Sequence, residues 1–168
     1  TLARDYTIKL TGKTSYKDFS AEQVLLGWFF YYDEWRNEPM IKIKGKDAQQ
    51  TLGIEGKYAS FNDFTSPEGY KLTGTQGKNF SAADEKYNLI MMNLTGSLLK
   101  IFPHNNALIN WFALNDNLPA DMPKAEWLFI RKSMNLVAEY IAHSQYDEAI
   151  DLIRKIRKYQ DTQLGTLA

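Results

Sequence analysis

The sequence predicts a mainly α fold: an irregular helical domain with a small β element near residues 40–44 and a C-terminal antiparallel helical hairpin. Three observations carry this. Apolar residues recur at steps of three and four through 87–101, 127–141 and 146–159, which places them on one face of a helix. Ser20-Ala21-Glu22-Gln23 has the form of a capping box, in which the Ser hydroxyl takes a backbone N–H and Gln23 reaches back. By contrast, Met40 to Lys44 alternates apolar and basic residues, which is a strand pattern.

The elements follow in order. Leu2 to Leu10 reads as a short helix stopped by Gly12. The capping box at Ser20 opens a helix running to about Trp35 and closed by the Asn37-Glu38-Pro39 turn. Asp47 to Leu52 and Phe61 to Phe64 read as brief helical turns, and 65–79, broken by Pro67, Gly69, Gly74 and Gly77, as a flexible connection. Ser81 is expected to cap a helix carrying Tyr87, Ile90, Met91, Leu94, Leu98 and Ile101, ended by Pro103. An irregular stretch from His104 to Pro123 precedes the hairpin. Its first helix carries Trp127, Ile130, Met134, Val137 and Ile141, and its second Tyr146, Ala149, Ile150, Ile153, Ile156 and Tyr159. Trp28, Tyr87, Leu94, Trp127 and Ile150 are expected in the core.

Composition narrows function without naming one. The 168 residues suit a single domain over 1–168, with 20 basic residues against 20 acidic, so no electrostatic case for nucleic acid arises. The absence of cysteine excludes zinc-finger, Fe–S and thiol-nucleophile chemistry within this segment. No stretch reaches the roughly 20 apolar residues that span a bilayer. The chain starts at Thr1 with neither an initiator Met nor a signal pattern, and reads as a piece of something longer.

Candidate chemistry is sparse. Two histidines, His104 in the irregular stretch and His143 at the end of the penultimate helix, are the candidate haem contacts, since iron ligation needs an imidazole nitrogen aimed at an open site. No metal-ligand spacing surrounds either, and no metal site is expected. Asp33-Glu34 and Asp84-Glu85 are adjacent pairs that diverge by about 100° on a helix, so they do not face one another as an acid–base pair. No catalytic residue and no enzyme is expected. Trp28 to Trp35 holds six aromatics in eight positions, more than one helix face buries. Tyr31 and Trp35 are expected at its edge, as interface residues. The run Arg154-Lys155-Ile156-Arg157-Lys158 reads as a solvated helix face, and Asn93-Leu94-Thr95 as a sequon inside a helix.

The strings LLGW at 25–28, EPMIKIKG at 38–45, LGIEGKYASF at 52–61, DEKYN at 84–88 and TGSLLKIFP at 95–103 are similar in wording to one family. The segment resembles the extracytoplasmic domain of the ResB/CcsA-type cytochrome c biogenesis proteins of Bacteroidetes, large membrane proteins of system II haem attachment. The resemblance covers most of 20–103 and, more loosely, the C-terminal hairpin. It implies an extracytoplasmic module on the periplasmic face of the inner membrane. The implied partners are apocytochrome c or other assembly components and the membrane segments of the parent. That family's haem handling resides in transmembrane histidines and a WWD segment, and this chain has neither. The resemblance therefore implies docking or organisation, with no cofactor in the isolated domain and haem reached only through the parent protein. A helical protein-binding scaffold unrelated to haem is the alternative.

Overall fold

A computed structural model describes residues 1–165. Among them the chain forms seven α-helices and three two-stranded antiparallel pairs, a mainly α fold as the periodicity predicts. The chain divides into two compact units, Thr1–Leu94 and a second beginning at Thr95. The 65–79 stretch lies within the first unit. It carries β3 (Thr65–Ser66) and β4 (Gly69–Tyr70), closed by Lys71 N–H donating to the Phe64 carbonyl.

In the first unit, α1 (Leu2–Thr11) ends on Gly12, whose φ of 79° supplies the left-handed cap that glycine adopts without a Cβ penalty. The capping box at Ser20 opens α2 (Ala21–Phe30) as read, with both reciprocal bonds made. The helix then breaks at Tyr31, and α3 (Tyr32–Trp35) restarts in a new direction. The expected unbroken helix to Trp35 is thus corrected: one straight helix could not bury rings on all its sides, and the break folds Trp35 back over α2. The β element is present as β1 (Ile41–Lys42), paired with β2 (Tyr58–Ala59), and α4 (Lys46–Leu52) follows.

The helix α5 (Lys78–Leu94) departs from its predicted form in length and in face. It starts before Ser81 and ends at Leu94, just before Gly96 at φ 78°, so Leu98 and Ile101 belong to the following loop. Its buried residues are Ala83, Lys86, Ile90 and Asn93, a stripe rotated from the predicted one and half polar. The buried nitrogens of Lys86 and Asn93 are partnered, whereas the Asn93 Oδ1 is buried without a hydrogen-bond partner. Lys86 Nζ donates to the Lys42 carbonyl, and Asn93 Nδ2 donates to the Leu25 carbonyl at 2.9 Å and the Tyr6 hydroxyl at 3.2 Å. Burial, aided by Lys44, Lys9 and Lys42 nearby, holds the Lys86 ammonium below the usual lysine range. With Asn93 wholly buried, its sequon is a helix-core residue.

In the second unit the expected irregular stretch after Pro103 is instead a hairpin. Strand β5 (Phe102–Asn106) pairs with β6 (Leu108–Phe112), from Phe102 opposite Phe112 to Asn106 opposite Leu108. Ala107, at φ 63°, makes the turn. The C-terminal pair α6 (Lys124–Ala142) and α7 (Tyr146–Leu164) follows. Ile130, Ser133, Met134 and Val137 of α6 and Ala149 and Ile156 of α7 are buried. Phe102 is buried with its ring edge-on to Phe129 and Tyr159. Two expected core residues are corrected here: Trp127 is exposed beneath the Arg131 guanidinium, and Ile150 is 45% exposed. Trp28 is fully buried, while Tyr87 and Leu94 are half-buried, Tyr87 stacked parallel on Phe61 at 4.7 Å.

The burial pattern fixes an expected outcome. Ile90→Ala in the first unit should cost about 2–5 kcal/mol, whereas Ile150→Ala should cost under about 1 kcal/mol. Urea denaturation of both variants measures the contrast; equal losses would contradict the assigned helix faces.

Candidate functional site

One hollow of the first unit is built from the aromatic run. It measures about 320 Å³ and is lined by Phe19, Glu22, Gln23, Leu26, Gly27, Phe30, Tyr31 and Trp35. Three local features shape it. Tyr16 and Phe19 form an antiparallel bridge that brings the Phe19 ring to within 5.1 Å of Trp35, centroid to centroid. The break at Tyr31 turns α3 against α2. Gly27 then lets the indole lie on the α2 backbone, since a Cβ built there would fall 2.5 Å from Trp35 Cε2. That approach is available only to glycine.

Tyr31 is exposed at the rim of this hollow. Trp35, expected at the edge, is only 7% exposed and forms part of the wall, with Trp28, Phe19 and Tyr16 as ring neighbours. A smaller hollow beside it, about 110 Å³, is lined by Phe19, Glu34, Trp35 and Glu38. Glu38 accepts from the Tyr16 hydroxyl at 2.7 Å and Lys17 Nζ at 3.0 Å. The Tyr16 bond is the larger cause holding the Glu38 carboxyl below its ordinary value; burial opposes it and Lys17 assists. The combined surface is apolar in its floor and carboxylate-bearing along one side.

The two histidines are not brought together. His104 lies on β5 with its side chain 12% exposed, not in an open loop, and its Nδ1 is 2.7 Å from Glu126 Oε1. The same carboxylate oxygen accepts from the Tyr159 hydroxyl at 2.7 Å, so one anion ties β5, α6 and α7 together. Burial, reinforced by that carboxylate, pushes the Tyr159 phenol above its ordinary value. His143 caps the end of α6, exposed, with Nδ1 2.8 Å from the Glu139 carbonyl oxygen. Glu126 and His143 stand 17 residues apart on one helix, roughly 25 Å along its axis. A haem iron with both histidines as axial ligands does not fit this geometry. Among the described residues, no group of three or more His, Cys, Asp or Glu side chains is placed to hold a metal ion, and no helix is long and apolar enough to cross a membrane.

Sequence reasoning reached Tyr31 and Trp35 but missed Phe19, Leu26 and Gly27. The available signal was Gly27 itself, a glycine inside an apolar helical run, which marks a close approach by a large neighbour. Nothing in the sequence signalled Glu126 and Tyr159 as partners of His104, because the three residues meet only through the packing of the hairpin on α6 and α7.

No family model matches the chain. It is 29% identical over 191 aligned positions to the protein NrfI of Wolinella succinogenes, an alignment covering 95% of this chain and 20% of that protein. The chain thus spans about a fifth of the length of that relative.

Two outcomes follow from the site geometry. Gly27→Ala should displace the Trp35 indole and destabilise the chain by about 1–3 kcal/mol, with a red shift and broadening of tryptophan emission. Unchanged stability and emission would show that the indole is not held against Gly27. Alkaline pH should also destabilise the fold. Tyr6, Tyr16, Tyr70 and Tyr159 all have folded-state pKa values raised by burial, and the last three also by a carboxylate partner. Their contribution is complete below about pH 10, the unfolded value, and is lost as pH rises beyond it. Tyr159→Phe should therefore flatten the decline between about pH 10 and 12 relative to the parent chain, read from denaturation midpoints.

Proposed function

We propose that this chain is an extracytoplasmic, non-catalytic module of a cytochrome c biogenesis membrane protein, acting in docking or organisation rather than in haem ligation. The observation that carries the reading is the similarity to NrfI along nearly the whole chain, which supports a role in cytochrome c biogenesis. Within it, the ResB/CcsA-type wording of residues 20–103 favours a system II assembly protein, and a place on the periplasmic face of the inner membrane.

The docking role rests on the aromatic hollow. Its floor is fixed by Trp35 on Gly27, while Leu26 and Tyr31 stay exposed, so a partner meets a preorganised apolar surface with a phenolic handle. Apocytochrome c or another assembly component is the partner this reading assigns to it. The histidines support the non-ligating half: His104 is engaged by Glu126 and His143 lies far along α6.

In the full-length parent protein, Tyr31→Ala should change stability by less than about 1 kcal/mol while lowering the yield of haem-attached cytochrome c. Trp35→Ala is the structural control and should cost about 3–5 kcal/mol. Normal maturation with Tyr31→Ala combined with Leu26→Ala would remove the hollow from the mechanism. Haem titration of the chain should give no stoichiometric low-spin Soret band; such a band, abolished by His104→Ala, would overturn the non-ligating role.

A further inference from the structure

The helix α7 carries an apolar stripe that its own unit leaves uncovered. Tyr146, Ile150 and Ile153 are 53%, 45% and 48% exposed, and with Arg157 they fall within about 60° of one another around the helix. The core-facing residues, Ala149 and Ile156, lie on the adjoining face. Along the solvent side of the stripe Asp147 and Asp151 come first, then Arg154 and Lys158, with Asp161 beyond them beside Arg157. Within the helix these charges are only loosely engaged. Arg154 lies 3.6 Å from Asp151 and Arg157 3.5 Å from Asp161, with both guanidinium groups more than three-quarters exposed. Such pairs contribute little.

This order is self-complementary when the helix is reversed. The geometry points to α7 as a homotypic interface, pairing antiparallel with the α7 of a second copy of this chain. A two-fold axis passing between Asp151 and Leu152 sets Ile150 level with Ile153 of the other copy and Tyr146 level with Arg157. The phenol ring then meets a guanidinium, a favourable cation–π arrangement. The same operation keeps each flank on its own side. It brings Asp147 within about two residues, or roughly 3 Å of rise, of Lys158 on the other copy, and Asp151 equally near Arg154. A parallel two-fold pairing would set this flank against the opposite, core-facing flank of the other copy, and these acid–base pairs would not form. Complementarity of charge therefore selects both the occupant and its direction. The narrow stripe makes this a weak, concentration-dependent contact.

Sedimentation equilibrium of the 168-residue chain tests it, with far-UV circular dichroism confirming that each variant folds. The parent chain should show a monomer–dimer equilibrium at high micromolar concentration, and Ile153→Asp should weaken it at least tenfold. Two charge variants test whether the charged flanks meet. Asp147→Lys with Asp151→Lys should be monomeric alone, as should Arg154→Asp with Lys158→Asp, and an equimolar mixture should regain the dimer as a heterodimer. A parent chain that stays monomeric up to about 1 mM, a dimer indifferent to Ile153→Asp, or a mixture that fails to associate would each overturn the proposal. The stripe would in that case serve another occupant or none.

Discussion

The buried face of α5 carries two polar side chains, and the first unit is arranged so that the donor nitrogen of each finds backbone or hydroxyl oxygen there. An amide or ammonium taken out of water without a hydrogen bond costs more than a typical core contact returns. Asn93 Nδ2 reaches the Leu25 carbonyl of α2 and the Tyr6 hydroxyl of α1, so one side chain specifies how three helices meet. Lys86, two turns earlier, does the same for the β1 segment through the Lys42 carbonyl. An apolar residue at either position would let α5 slide or rotate against its neighbours at little cost. The polar pair fixes its register.

With α2 so anchored, its other side is free to carry the aromatic hollow. Trp28 faces inward and is fully buried, whereas Leu26 and Tyr31 remain outside, and Gly27 between them receives the Trp35 indole. The break at Tyr31 makes this possible, because a continuing α-helix would carry Trp35 away from Gly27 along the axis. The hollow is therefore a consequence of how the unit disposes of surplus aromatic rings. Trp35 and Gly27 in it are buried while Phe19, Leu26 and Tyr31 are exposed, which gives a surface whose exposed members can be changed without unfolding the unit.

Much of this was legible in the sequence where a local rule decides. The capping box at Ser20, the stop at Gly12, the β1 alternation and the two C-terminal helices all follow from nearest-neighbour chemistry. The misreadings occur where tertiary partners override it. The predicted α5 face took Met91 and Leu94 as core and left out Lys86 and Asn93, because periodicity counts apolar residues and cannot see a carbonyl supplied from β1 or α2. The β5–β6 hairpin was hidden by Pro103 and by the asparagines of its turn, which read locally as loop. Ile150 was assigned to the core because an apolar residue at helical spacing is indistinguishable, in sequence, from one that faces a second surface.

That last ambiguity bears on how the second unit is built. Its interior is fixed by Phe102 between Phe129 and Tyr159 and by the Glu126 carboxylate, which accepts from Tyr159 while engaging His104. These contacts draw on α7 through one face only, around Ala149, Ile156 and Tyr159. The Ile150 and Ile153 side chains stay about half exposed beside that interior, and with Tyr146 they form an apolar row one turn apart. Asp147 in the first turn of α7 suits the helix dipole, while Arg154 and Lys158 lie inside the helix. The order of these charges makes the face complementary to its own reversal. This order thus biases how two such helices would meet, and the exposed apolar stripe supplies the contact that this bias can orient.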